Sequence, residues 1–401
     1  MNRQTTKVTA GTVLGLVSLF AAGSAIERVS TNEWREQADG PSFAPALSSN
    51  GRYVLFTSDA ENLAPGDDNG LADVFLYDRR TGAVERISRT RDGGQPDAHC
   101  AAGGVSADGR YAVFSSAAGN LLPGIGGGRT LLYLRDRETG HLRIASRTEA
   151  DDPAPGPCTY AHFSANGRYL LFGSESDGIT AGDTNGRFDV FLRDLEQETT
   201  ERASVGTGGA EGDLDSFGGS FSEDGRFATF LSKATAFDAA ADGTTQQLYL
   251  RNRTADTTRL VTRGTDGQPG NGFTAWDTVS ADGTVITFGS QASNLVTGDT
   301  NGTPEDPFDV DGTDIFAVEL AGGIPQPPRR INLSAAGDEG NGGSFEPELS
   351  ENGRFVTFFS EASNLVPDDS NGTRPDVLCV DRLEGTIERL SRSNTGAQGN
   401  R

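Results

Sequence analysis

Short apolar runs of strand length recur along the chain at a fixed interval. Residues 52–58 read RYVLFTS, and the counterparts are RYAVFSS (110–116), RYLLFGS (168–174), RFATFLS (226–232), TVITFGS (284–290) and RFVTFFS (354–360). An antiparallel strand with one wet face alternates apolar and polar residues. Tyr53-Val54-Leu55-Phe56 does not alternate, so both faces of the sheet it belongs to must be covered. An Asn-Gly or Asp-Gly turn, a strong hairpin signal, precedes each run. Its glycine falls at Gly51, Gly109, Gly167, Gly225, Gly283 and Gly353, with intervals of 58, 58, 58, 58 and 70 residues. The serine that ends each run (Ser58, Ser116, Ser174, Ser232, Ser290, Ser360) keeps the same intervals. The longer last interval places an insertion around Thr303–Thr313.

Each repeat reads as four strands. The first precedes the turn (Phe43–Leu47), the second is Arg52–Ser58, the third Asp73–Asp78 (DVFLYD) and the fourth Val84–Ser88 (VERIS). Sheets of four strands, apolar on both faces, cover one another when they stack radially as blades. Independent beads of this size would bury too little surface. The expected fold is all-β: a six-bladed β-propeller of four-stranded antiparallel blades, with approximate bounds 41–92, 93–150, 151–208, 209–266, 267–336 and 337–396. The fourth-strand sequence occurs a seventh time at Ile26–Ser30 (IERVS). It competes with Ile387–Ser391 to complete the last blade, so one copy is expected to be displaced or to double an edge.

The combined pattern S-x-[DN]-G-R-[YF]-x-x-F, D-V-F-L-x-D-x-x-T-G and x-E-R-[IL]-S resembles the TolB-like propeller repeat and extends over residues 26–401. The resemblance implies the propeller fold and leaves the role open, because such folds host many functions. Nothing in the chain matches the α/β domain that precedes the propeller in TolB itself. There is also no room for the hydrolase domain of prolyl-oligopeptidase-type enzymes.

The first 25 residues read as an export signal. Arg3 and Lys7 precede an uncharged small and apolar stretch, Val8–Ala22, and Gly23-Ser24-Ala25 offers a cleavage site. The stretch is short for a membrane span. A periplasmic or extracellular location follows as the expectation. The formal net charge of −23 is spread along the chain, and such a field disfavours nucleic acid and anionic membrane surfaces as partners. Gly396–Arg401 (GAQGNR) resembles the loop into a further repeat.

The loop between second and third strands carries the densest candidate chemistry. Four repeats hold Asp-x-Asn-Gly and then an aspartate at the start of the third strand: Asp67, Asn69, Asp73; Asp183, Asn185, Asp189; Asp299, Asn301, Asp314; Asp369, Asn371, Asp376. The insertion adds Glu305, Asp306, Asp309 and Asp311. Clustered carboxylates and amide oxygens suit Ca2+, which takes six to eight oxygens. The EF-hand pattern is incomplete, since Pro65, Ala181, Thr297 and Pro367 stand at the first ligand position and no acid stands at the twelfth. The competing expectation is structural: Asp and Asn beside Gly make good turns by bonding nearby backbone amides.

Other chemistry is sparse. His99, His162, Cys100 and Cys158 could form a metal site, but their spacing matches no zinc motif. Cys100 and Cys158 occupy equivalent positions in neighbouring repeats, where either a disulfide or two buried thiols is possible, and Cys379 reads as core. No nucleophile elbow, P-loop or dinucleotide fingerprint occurs. Trp34, Tyr160 and Trp276 could stack on a sugar or simply cap blades. The reading that results is an exported, non-catalytic scaffold that binds a protein or polysaccharide. The alternatives are a carbohydrate-active hydrolase or lyase, with His99, His162, Asp215 and Trp276 converging at a channel, and a calcium-stabilised cell-surface protein.

Overall fold

The computed structural model describes residues 27–300, 312–372, 374–393 and 396–398. The protein is an all-β, six-bladed β-propeller, with no helix among the described residues. Blade 1 consists of Ser42–Leu47, Tyr53–Ser58, Asp73–Asp78 and Ala83–Arg86, hydrogen-bonded in that order and antiparallel throughout. Blades 2, 3, 4 and 6 repeat this order, and in blade 5 two short segments take the place of the fourth strand. The described chain falls into a unit of residues 28–202 (blades 1–3) and a unit that holds residues 203–401 (blades 4–6).

The second strand is the middle of each blade and explains the double-faced apolar pattern. All six residues of Tyr53–Ser58, Tyr169–Ser174, Phe227–Ser232 and Val285–Ser290 are buried. In the unit of blades 1–3, Tyr53 and Leu55 of blade 1 share one apolar cluster with Val113 and Phe114 of blade 2 and Leu170 of blade 3. Adjacent blades within a unit are also tied at the Asn/Asp-Gly turns, where the Ala107 amide donates to the Ala165 carbonyl at 2.7 Å and the Glu223 amide to the Ala281 carbonyl at 2.9 Å. The first strands carry a bulge, which places Ala44, Tyr160, Trp276 and Glu346 at positive φ.

The surplus fourth-strand sequence is resolved by pairing. Blade 6 uses its own Thr386–Arg389 beside Asp376–Asp381. Residues 27–30 form no strand, and Val29 instead packs with Val54, Phe56, Leu63, Phe75 and Tyr77 of blade 1. The extra length of blade 5 is divided. Its third strand, Asp314–Ala321, is eight residues long and returns through Ile324–Pro325 and Arg329–Arg330, so part of the insertion lies in that hairpin as well as in the preceding loop.

Gly109 is needed on two counts. Its φ is 73°, and a Cβ there would stand 2.3 Å from the Tyr53 ring of the preceding blade. Gly124 has a similar φ of 78° with nothing within 4 Å. Gly109→Ala is expected to lose more than about 1 kcal/mol in urea unfolding, and Gly124→Ala clearly less. Equal losses would mean that the ring contact contributes nothing.

Candidate functional site

The acidic loops are closed by arginine. In blade 1, Arg86 at the end of the fourth strand puts Nη1 3.0 Å from Asp67 and 3.6 Å from Asp73. In blade 3, Arg202 Nη1 lies 3.1 Å from Asp183 and 3.3 Å from Asp189. In blade 6, Arg389 lies 3.7 Å from Asp369 and 3.1 Å from Asp376. All three guanidinium groups and their carboxylates are buried. The side chain two residues after the arginine completes the lock: Ser88 donates to Asp73 and its hydroxyl accepts from the Val74 amide at 2.9 Å, an arrangement repeated by Ser391 and Asp376. Two carboxylates share one cation, so the arrangement retains acid character. Burial pushes Asp67 up to about 6, helped by the neighbouring Asp73 and opposed by Arg86. Burial likewise raises Asp73.

The two blades without the acidic pattern replace the whole set. Where blade 1 has Asp67, Asp73 and Arg86, blade 2 has Ile125, Leu131 and Ile144, and blade 4 has Ala241, Gln247 and Leu260. Ile125, Leu131 and Ile144 belong to one apolar cluster. The arginine of x-E-R-[IL]-S thus appears in the four blades with acidic loops and is missing from the other two. That correlation is legible in the sequence but becomes meaningful only when the loop and the fourth strand are seen to touch.

The amide residues serve the turns. Asn69 Oδ1 accepts from the Leu71 amide at 3.1 Å, and Asn69 Nδ2 reaches the Pro96 carbonyl at 3.1 Å. Asn185 accepts from the Arg187 amide at 3.0 Å and donates to Asp189 at 3.0 Å. The Asn371 amide donates to Asp369 at 3.3 Å.

Blade 5 gathers three acids. Ligand atoms of Asp299, Asp314 and Glu339 lie within 4.8 Å of one another, the only such group of His, Cys, Asp or Glu among the described residues. Arg330 reaches all three, at 2.7, 3.1 and 2.7 Å. Burial pushes Glu339 up, but its Thr300 hydrogen bond and Arg330 outweigh it and hold the carboxyl below its ordinary value. Asn301, Glu305, Asp306, Asp309 and Asp311 lie outside the described residues.

The remaining candidates are dispersed in role. Cys100, Cys158 and Cys379 are free and buried. Burial pushes the thiols of Cys100 and Cys379 up to about 12 and that of Cys158 to about 11, so they are poor nucleophiles. Cys100 and Cys158 stand where Ser42, Thr274 and Ser344 bond the serine that ends the second strand. His99 is exposed and accepts from the Ala72 amide at 2.9 Å, and His162 is exposed. The Asp215 carbonyl accepts from Ser232 at 2.8 Å. Tyr160 and Trp276 lie over Gly173 and Gly289, whose missing side chains make room for the rings. Trp34 is 69% exposed.

A second acidic group went unnoticed in the sequence because it does not repeat. Asp277 lies on the first strand of blade 5 (Thr274–Val279), and Glu346 and Glu348 lie on that of blade 6 (Ser344–Leu349). Burial pushes Asp277 up to about 6, although the Thr229 hydroxyl donates to it. Burial, followed by repulsion from Glu346 and Asp277, pushes Glu348 up to about 8.

No protein-family model and no curated protein matches the chain. Solved structures do. TolB from Acinetobacter baumannii is 14% identical, with 84% of this chain and 63% of that chain covered and a TM-score of 0.42. The putative TolB from Agrobacterium tumefaciens is 17% identical, with 79% and 89% covered and a TM-score of 0.43. The β-propeller domain of the Trilobed protease from Pyrococcus furiosus, described as having an open velcro topology, is 10% identical, with 88% and 84% covered and a TM-score of 0.49. The chain therefore spans less than two thirds of the length of the Acinetobacter protein. At such identities the likeness is one of fold.

Arg330 stands where a cation would be held, which sets up a test. Arg330→Gln removes the guanidinium shared by the Asp299, Asp314 and Glu339 carboxylates and is expected to cost about 3–5 kcal/mol. Millimolar Ca2+ should restore part of the lost melting temperature in the variant and leave the wild type unchanged. A calcium-dependent rise of equal size in the wild type would show that the native site already takes the ion.

Proposed function

We propose that the protein is a non-catalytic binding scaffold that works outside the cytoplasm and presents its loops to a protein or polysaccharide partner. The observation that carries this reading is the internal pairing of the repeated acidic loops. Their carboxylates bond arginines of the same chain, so the polar chemistry that recurs most often is spent on holding loops to blades. Such loops make a rigid platform. The extracytoplasmic location rests on the leader-like composition of residues 1–25, which lie outside the described residues.

Trp34 is the natural contact on this platform. It is exposed in the segment that enters blade 1, where the Asn62 amide bonds the Gln37 carbonyl at 2.9 Å and joins that segment to the loop after the second strand. A flat aromatic at a loop tip suits stacking on a sugar or packing in a partner's pocket.

A calcium-stabilised protein is the second reading, favoured by the convergence of Asp299, Asp314 and Glu339. In the first reading Arg330 takes the place of that ion.

The test combines binding with turnover. Purified protein is titrated with a panel of bacterial polysaccharides and with solubilised envelope proteins, and products are followed by mass. The scaffold reading expects saturable binding without product, weakened at least tenfold by Trp34→Ala. Cleavage of any polysaccharide, lost on substitution of Asp277 or Glu348, would overturn it in favour of an enzyme.

A further inference from the structure

Blade 5 departs from the repeat at its outer edge. In blade 1 the third and fourth strands meet in a tight turn between Asp78 and Ala83. In blade 5 the third strand runs on to Ala321, and the chain returns through Ile324–Pro325 and Arg329–Arg330 with Gln326, Pro327 and Pro328 between them. Pro327 and Pro328 have no amide hydrogen to give, so the ladder is interrupted there. The hairpin lies against blade 4: a Cβ on Gly323 would stand 2.9 Å from the Phe227 ring and 3.0 Å from Asn252 Nδ2. Between the hairpin and the fourth strand of blade 4, Thr257–Leu260, is a cavity of about 610 Å³. Phe237, Leu260 and Val261 line it from blade 4, and Ile324, Pro325 and Pro327 line it from the hairpin.

One charge on this cavity is left unanswered. Arg259, which lines it, stands at the position of Glu85 in blade 1 and Arg143 in blade 2. Both of those side chains cross to the turn between the third and fourth strands of the next blade. Glu85 meets Arg137 at 2.9 Å, and Arg143 meets Glu198 at 3.3 Å. For Arg259 that turn is the hairpin of blade 5, and residues 320–328 (LAGGIPQPP) hold no acid. Arg259 is exposed and forms no ion pair among the described residues. The other arginine on the cavity, Arg263, is already held by Asp238 and by the Gly267 carbonyl, at 2.7 Å from the latter. Arg259 and Arg263 against Asp238 leave the lining with a positive charge in excess, in a chain whose net charge is −23.

The chemistry selects the occupant. Apolar walls take up a hydrophobic body, and a cavity of this volume suits a small organic molecule. A free guanidinium addresses a carboxylate through two parallel hydrogen bonds. We propose that the cavity between blade 4 and the hairpin of blade 5 binds a small carboxylic acid with an aromatic or branched aliphatic body. The carboxylate lies on Arg259, and the body packs against Leu260, Ile324 and the prolines. The hairpin makes the site and the repeat does not, since in blade 2 the equivalent arginine is already occupied by Glu198 of the next turn. This inference goes beyond the scaffold reading and does not depend on it.

The probe is cinnamate, run beside cinnamyl alcohol and cinnamylamine, which keep the ring and replace the carboxylate with a neutral group or a cation. Calorimetry at neutral pH is expected to show saturable binding of cinnamate, weakened at least about tenfold in the alcohol and absent for the amine. Arg259→Gln should bring cinnamate down to the affinity of the alcohol and leave the alcohol unchanged. Ile324→Asp should weaken both the acid and the alcohol, whereas Arg91→Gln, at an exposed arginine of blade 1, should change nothing. Arg259 and Ile324 are exposed, so both variants should melt as the wild type does. Should Ile324→Asp fail to fold, Arg259→Gln and the comparison of the three probes carry the test. Failure of cinnamate to bind at millimolar concentration overturns the proposal. So does equal binding of the three probes, or binding that ignores Arg259→Gln.

Discussion

A guanidinium buried between carboxylates holds this protein's loops to its blades. The loop between second and third strands would otherwise be a long, glycine-bearing excursion with two or three acids at its base. Arg86, Arg202, Arg330 and Arg389 draw those acids onto the fourth strand of the same blade. The planar fork of arginine suits this task, since it can address two carboxylates at once and stays charged when buried. Ser88, Asn332 and Ser391 then fix the third-strand aspartate from the other side. Blade 2 reaches the same end with apolar side chains, and blade 4 with Ala241, Leu260 and an uncharged Gln247 bonded to Thr262 and the Gly270 carbonyl, so the junction must be filled and its polar groups paired, and its chemistry is free to vary.

Against that background the first strands of blades 5 and 6 stand apart. A chain that pairs its repeated buried carboxylates with arginine so consistently gives Asp277, Glu346 and Glu348 no arginine, on strands where most other repeats place small, apolar or hydroxyl residues. Repeats supply stability, and departures from them mark where the molecule has something else to do. The same contrast separates Trp34, exposed at a loop tip, from Tyr160 and Trp276, whose rings rest on glycines of their own blades.

The fold was legible because its signals are local and periodic. Doubly apolar second strands, Asn/Asp-Gly turns and an unvarying interval specify four-stranded blades that must be covered on both sides. The loop aspartates were also legible, but their partner was not, because Arg86 is far from Asp67 in sequence and reads as the polar face of an edge strand. Nor did the chain reveal that residues 27–30 would form no strand. By local pattern the copy at 26–30 suits a strand as well as Ile387–Ser391 does, and only Thr386–Arg389 pairs with Asp376–Asp381. Asp277, Glu346 and Glu348 escaped notice because single carboxylates in a chain with 57 of them carry no signal until burial sets them apart.

The account rests on the claim that the arginine clamp and the apolar plug are interchangeable solutions to one packing problem. Urea unfolding of the full chain tests it, comparing Arg86→Ile alone with the triple variant Asp67→Ile, Asp73→Leu, Arg86→Ile, which copies blade 2 into blade 1. The single variant should lose about 3–5 kcal/mol by stranding two buried carboxylates, and the triple variant should regain most of it. A single variant as stable as the wild type, or a triple variant no better than the single, would contradict the claim.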